Sequence, residues 1–306
     1  MEEQKRTYIS VIISDYNRKL YILNALKSVI HQSLSRENYE IILIKNFADS
    51  NIDDFASQNK VKSLISQDIS LSGKIREALS YATGNVICFL DDDDKFYENK
   101  LEYVYNKFKT TKNLVYLHNN FSSIDDNNQP IKYKNINPDF NISSISIRKD
   151  IINVDTLTMV SKSIDTLMYM YARESGMKIE IDDTVLTYYR VTENSVTHSF
   201  NSIESFREFS INSLSKILQS YVTMKSIFTP GRALKIINHR ESFTRIRINL
   251  FGGPKPFIKD YIKILFTGSM EPRSYEFKVM ISSIFFKNLA MKKLYNNEME
   301  KNKQLQ

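Results

Sequence analysis

The chain has 306 residues, of which 42% are hydrophobic and 25% charged, with a formal net charge of +7. These proportions are ordinary for a folded globular protein and exclude general disorder, and the length suits one large domain or two modest ones. A single cysteine, Cys88, rules out an internal disulfide and fits a reducing compartment.

The elements read as follows in chain order. "MEEQKRTYIS" has no apolar signal core. A buried strand begins near Tyr8 and ends near Ser14, followed by helical spacing through Leu20, Leu23, Leu26 and Ile30. "YEIILIKN" is a second strand, "DSNIDDFASQN" a short helix and "VKSLIS" a third strand. "LSGKIREALSYATGN" is a helix that Gly84 is expected to end. "VICFL" is the fourth strand, "ENKLEYVYNKFK" a helix and "NLVYLHNN" the fifth strand. The strands are continuously apolar rather than alternating, which predicts a parallel sheet covered on both faces. Ligands then bind beyond the carboxyl ends of the strands.

Further on, "SSIDDNNQPIKYK" predicts a hairpin turn and "SSISIRKDII" a short strand and helix. "SIDTLMYMYARESGMK" is a helix stopped by Gly176, and "TVLTYYRV" is a strand. From about residue 201 the chain reads as mainly helical. Residues 201–306 hold 18 Lys/Arg and 8 Asp/Glu, about +10, against 24 and 27 in the rest, about −3. That asymmetry marks two parts with different tasks. No apolar run reaches the ~18–20 residues of a spanning helix, so a cytoplasmic protein is expected. Basic aromatic segments such as "PFIKDYIKILF" suit the face of an anionic membrane. They equally suit a helical bundle or a homo-oligomer interface. No recognisable nucleic-acid module accompanies the charge.

The chemistry concentrates at "VICFLDDDDK", residues 86–95. Adjacent carboxylates repel, and desolvating them is costly. A hard divalent cation, Mg²⁺ or Mn²⁺, resolves the conflict, because it takes oxygen ligands and is readily shared with substrate phosphates. The plain alternative is a solvated acidic turn opening the next helix, although four aspartates exceed what a cap needs.

Four landmarks in order resemble a family 2 glycosyltransferase with the GT-A fold, over about the first 200 residues. They are "SVIISDYNR", "ALKSVIHQSLSRENYEIILI", "ATGNVICFLDDDD" and "TVLTYYRVTENSVTH". The resemblance implies an α/β, Rossmann-like, mostly parallel sheet over residues 1–200, followed by a basic helical region over 201–306. It implies an inverting transfer of sugar from a nucleotide-diphosphate donor, UDP-linked first and GDP-linked second, to a glycan or lipid-linked hydroxyl. Asp91 and Asp93 match the two acids of the family's D-x-D metal motif, with Asp92 at its variable position and Asp94 expected to cap the next helix. Asp165 matches the general base of inverting members, although Ile164 stands where a Glu is usual. Asp182 and Asp183 are the fallback bases, read as a turn before a strand.

Other positions depart from the pattern. Lys45 and Asn46 stand where the second strand usually carries acids; Asn46 can hydrogen-bond a nucleotide base, but Lys45 cannot accept a hydrogen bond. Lys74 and Arg76 are candidate diphosphate contacts, or else a solvated helix face. Tyr16 is a candidate for stacking on the base, or else a packed aromatic. His198 lies six residues beyond the family's usual closing-loop position and reads more simply as a surface or packing residue. A non-catalytic sugar-nucleotide or glycan-binding scaffold is the alternative of a different class.

Overall fold

The computed structural model describes residues 7–15, 19–132, 137–191, 202–267 and 275–305. The chain divides into two compact units, Met1–Val191 and Thr192–Gln306.

In the first unit strands and helices alternate as β1 (Ile9–Ser14), α1 (Lys19–Ile30), β2 (Tyr39–Lys45), α2 (Ser50–Gln58), β3 (Lys62–Ile65), α3 (Leu71–Tyr81) and β4 (Val86–Asp91). The four strands are parallel, in the spatial order β3-β2-β1-β4. β1 is buried along its whole length, Ser10 and Ser14 included, as suits a parallel strand covered on both faces. From β1 the chain moves outward to β2 and β3, then returns to the other side at β4. A crevice therefore opens beyond the carboxyl ends of β1 and β4, where sheets of this kind bind ligands. Ser14 is in register with Asp91, so the turn after β1 and the aspartates start level with each other.

β5 (Lys95–Phe96), α4 (Lys100–Thr110), β6 (Leu114–Ile124), β7 (Pro130–Ile131), β8 (Ile145–Arg148), α5 (Ile164–Ser175) and β9 (Lys178–Arg190) complete the unit. The full order is β3-β2-β1-β4-β8-β6-β9-β5, with β7 paired to β6. β8 runs antiparallel to β4 and β6, and β5 antiparallel to β9, whereas β6 and β9 are parallel. The sheet is thus mostly parallel, with antiparallel strands confined to the side beyond β4. The expected hairpin is the β6–β7 pair, closed by the Asp125 N–H donating to the Gln129 carbonyl at 2.9 Å.

Three expectations are corrected. The short helix expected after β8 is a 3-10 turn, Lys149–Ile151, rather than an α-helix. α3 stops at Tyr81, before Gly84. Gly84 instead lies against β1, where its N–H donates to Ser10 Oγ at 2.8 Å and an added Cβ would stand 2.5 Å from the Ser10 nitrogen. Asp182 and Asp183 lie within β9, at a register break where Asp182 pairs with Asn119 and Val185 with Asn120. Gly176 does end α5, in the left-handed conformation at φ 66°.

The core beneath one face of the sheet joins Val11, Ile13, Leu43 and Leu90 to helices α1, α2 and α4. Ile22, Leu26 and Val29 supply the α1 stripe, at helical spacing.

The second unit contains α6 (Ile203–Ile227), α7 (Leu234–Leu250), α8 (Ile258–Thr267), α9 (Tyr275–Phe285) and α10 (Lys287–Leu305). Ser202 and Ser205 form a capping box that starts α6. Among the described residues, one small core gathers around Phe206, Leu214, Ile248 and Phe251 and another around Ile246, Leu250, Ile264, Val279 and Met280. Among the described residues no helix is long and apolar enough to cross a membrane.

Candidate active site

Residues Val86–Leu90 of β4 are buried and Asp91 is half-buried, so the strand leaves the core where the charges begin. One carboxylate oxygen from each of Asp91, Asp93 and Asp94 lies within 4.8 Å of the others. Asp91 and Asp93 are the accessible members, whereas Asp92 and Asp94 are each only 1% exposed. Asp94 is turned inward and accepts a hydrogen bond from the Arg190 backbone N–H at 2.8 Å. Burial and the neighbouring Asp93 charge push its carboxyl up to about 8, against the pull of Ser143 and the Arg190 N–H. It does not cap the next helix, because β5 intervenes and α4 opens after Asn99. The accessible carboxylates of Asp91 and Asp93, with an Asp94 oxygen close behind them, offer hard oxygen donors of the kind that Mg²⁺ and Mn²⁺ take, so these residues fit such an ion.

The loop is held from beneath. The Asp91 N–H donates to Ser143 Oγ at 3.0 Å. The Lys100 ammonium, fully buried, donates to the Ser143 carbonyl and to Thr187 Oγ1. Burial pulls that ammonium down to about 7, opposed by Cys88 and Asp94. Arg190 is 3% exposed and ties together three segments. Its Nε donates to the Asp93 carbonyl at 2.8 Å, and its terminal nitrogens donate to the Asp125 carbonyl and to Asn128 Oδ1. Its guanidinium lies 4.3 Å from the ring centre of Tyr21, whose hydroxyl donates to Asp126 Oδ1 at 2.6 Å. A guanidinium fork makes this possible because its donors point in several fixed directions. Sequence reasoning missed Arg190, Lys100, Ser143 and Thr187. Each is an ordinary strand, loop or helix residue until the fold brings it under the aspartates.

The other expected site residues are distributed around this loop. Lys74 is 1% exposed and donates to the Asp15 carbonyl, so it braces the turn after β1. Burial pulls its ammonium down, while Asp15 and Asp92 beside it pull it back up. Arg76 is exposed on α3. Asn46 follows β2, and its side-chain oxygen is buried with no hydrogen-bond partner among the described residues. Lys45 turns the other way, fully buried and 2.9 Å from Asp53 of α2. Burial pushes the Asp53 carboxyl up, but hydrogen bonds led by Lys45 bring it below its usual range. Tyr16 and His198 lie outside the described residues.

Asp165 sits half-buried in the first turn of α5. Its Oδ1 accepts from the Thr166 N–H at 2.8 Å, and the Thr166 hydroxyl donates to the buried Asp139 at 2.6 Å. Asp182 accepts from the Tyr103 and Thr184 hydroxyls, each at 2.6 Å, and pairs with Lys107 at 3.0 Å. Burial pushes its carboxyl up, yet these hydrogen bonds hold it well below the usual range. Such a carboxylate has little proton affinity to offer as a base. An open cleft of about 470 Å³ is lined by Lys27, His31, Lys95, Asn128 and Tyr188, of which Lys95 directly follows Asp94 in the chain.

The glycosyl transferase family 2 model matches residues 10–168, more than half of the chain. The chain belongs to glycosyl transferase family 2. The span that this family 2 chain shares with the model runs from β1 into α5 and contains both the aspartate loop and Asp165. It is 23% identical over 204 residues to the UDP-Glc:alpha-D-GlcNAc-diphosphoundecaprenol beta-1,3-glucosyltransferase WfgD of Escherichia coli, covering 62% of this chain and 79% of the relative. Its fold is similar to that of residues 1–349 of Staphylococcus aureus TarS in complex with UDP-GlcNAc, with TM-score 0.52, 14% identity, and 90% and 91% of the two chains covered. It is also similar to the mannosyltransferase PcManGT from Pyrobaculum calidifontis in complex with GDP-Man and Mn²⁺, with TM-score 0.56, 12% identity, and 99% and 86% covered. These likenesses establish the GT-A fold. The family 2 chain matches only 21% and 39% of the length of the first curated relatives.

Proposed function

We propose that this protein is an inverting glycosyltransferase that moves a sugar from a nucleoside-diphosphate donor to a hydroxyl of a glycan or lipid-linked acceptor. The observation that carries the proposal is the grouping of Asp91, Asp93 and Asp94 at the carboxyl end of β4, level with the end of β1. Asp93 and Asp91 hold a divalent cation, Mg²⁺ or Mn²⁺. Such an ion, when bound, offsets the charge of the diphosphate and eases its departure. The UDP-GlcNAc of TarS and the UDP-Glc in the name of WfgD make a UDP-sugar the first choice, with a GDP-sugar as in PcManGT the second.

Asn46 offers its buried oxygen to the nucleotide base, Tyr16 stacks on that base, and Arg76 contacts the diphosphate. Lys74 and Asp92 support the donor from the turn after β1 and from within the aspartate loop. Asp165 takes the proton of the acceptor hydroxyl as that oxygen bonds to the anomeric carbon. The bond from the same carbon to the diphosphate oxygen breaks, and attack from the opposite side inverts the configuration. The diphosphoundecaprenol in the name of WfgD supports a lipid-linked acceptor. The charge of about +10 over residues 201–306 supports peripheral attachment to the cytoplasmic face of a membrane.

Calorimetric titration of UDP and GDP, with and without Mn²⁺, tests the donor site on wild type and on Asp93→Ala. One nucleotide is expected to bind in a metal-dependent way, with Asp93→Ala losing that binding. A folded wild type that binds neither nucleotide overturns the reading.

A further inference from the structure

Helix α8 has two unlike faces. Inward, Ile264 is 3% exposed and packs with Ile246, Leu250, Val279 and Met280. Asp260, the only acid of α8, is also turned in: it accepts from the Phe257 N–H at 2.9 Å and from the Ser242 hydroxyl at 2.8 Å. Outward, Ile258, Ile262 and Phe266 are 79%, 48% and 85% exposed. They recur every four residues and so form one row along the helix. Lys259 and Lys263 lie beside the row, and Phe257, also exposed, extends its foot with the Lys259 ammonium 5.1 Å from its ring centre. The outward face therefore carries large apolar groups and ammonium groups, and α8 contributes no carboxylate to it.

A second exposed apolar group, Phe285, Phe286 and Leu289, stands at the α9–α10 junction of the same unit. α8 and α9 are joined through the hydroxyls of Tyr261 and Ser283, 3.3 Å apart. A protein groove complementary to the α8 row would need only apolar contact. The lysines alongside it, on a helix whose one carboxylate is buried on the inward face, match a surface that is apolar within and anionic at its boundary. Lysine stems lie on apolar surface while their ammonium groups reach outward to phosphate.

We infer that the outward face of α8 docks the protein on an anionic lipid bilayer, with Ile258, Ile262 and Phe266 at the boundary of the acyl region and Lys259 and Lys263 on headgroup phosphates. The inference deepens the membrane part of the proposed function and rests on it, but it is independent of the donor site.

The test is flotation of the full chain with vesicles of phosphatidylcholine, alone or with about 30% phosphatidylglycerol. Wild type, Ile262→Glu with Phe266→Glu, and Lys259→Glu are compared, with unfolding midpoint and UDP titration as controls. Wild type is expected to float with the anionic vesicles about tenfold more than with the neutral ones. The double variant loses this binding and the lysine variant weakens it, with midpoint and UDP binding unchanged. Retained flotation in the folded double variant overturns the assignment to α8. Equal flotation on both vesicles overturns the anionic specificity. A wild type that does not float, but whose self-association is lost in the double variant, makes the face a contact between copies and overturns the inference. A wild type that binds UDP without floating sinks the docking alone, and one that floats without binding UDP sinks the donor reading alone.

Discussion

At the scale of single residues, Arg190 and Asp165 make separable demands on the proposed reaction. Arg190 binds the Asp93 carbonyl and the β6–β7 turn with one planar fork. Lysine keeps the charge but has one nitrogen, so it cannot reach all of these acceptors together. Arg190→Lys is expected to lower stability by about 1.5–3 kcal/mol, the range for a lost charged hydrogen bond, in urea unfolding of the full chain. It should also weaken Mn²⁺-dependent UDP binding, because the aspartate backbone is no longer held. Asp165→Asn should behave differently: turnover falls by about 10²–10⁴, the range for removing a general base, while the UDP dissociation constant stays the same. Equal loss of turnover and UDP binding in Asp165→Asn would remove it from the role of base. Arg190 is visible in "TYYRV", but nothing local to that segment indicates that its donors go to residues about 60 to 100 positions away.

At the scale of elements, β4 and β9 show why carboxylates at strand ends and within strands have different fates. β4 is buried through Leu90 and then releases Asp91 into the crevice, so its charges are available to a ligand. β9 carries Asp182 inside a strand, where Tyr103, Thr184 and Lys107 surround it. The hydrogen bonds overcome the effect of burial and depress its carboxyl below the ordinary value. Above the pH at which an unfolded aspartate titrates, the native state keeps this advantage in full. As pH falls toward the depressed folded value, the unfolded chain takes up the proton first and the advantage is lost. Stability is therefore expected to decline between about pH 5 and pH 2, and more shallowly in Asp182→Asn. The comparison to make is urea midpoints across that range for both proteins.

At the scale of the whole molecule, charge is divided between the units rather than spread evenly. Residues 201–306 carry about +10 and the remainder about −3. Salt screens interactions between exposed charges separated by more than about one Debye length, roughly 10 Å at 0.1 M and shorter as salt rises, but it leaves apolar burial in place. Raising salt from about 0.1 to about 0.5 M should therefore reduce flotation on anionic vesicles without abolishing it, and the remainder should vanish in Ile262→Glu with Phe266→Glu. Complete release by salt in the wild type would mean that Ile258, Ile262 and Phe266 do not enter the bilayer.

Local pattern by itself determined the alternation through β4, the helix over Ile164–Ser175, the helical second unit and the placing of four aspartates at the end of an apolar strand. Each of these follows from period, turn chemistry or composition within a short window. Only the tertiary structure decided that β8 inserts antiparallel beside β4, that Gly84 serves close approach to β1, and that Asp94 faces Arg190 instead of starting α4. It also decided which lysines are braces: Lys74, Lys100 and Lys45 look like any other lysine in sequence, yet all three are buried. The physical reason is separation along the chain. The Asp93–Arg190 contact spans 97 positions and the Lys100–Thr187 contact 87, and no periodicity in a strand or helix encodes which distant partner a side chain will meet.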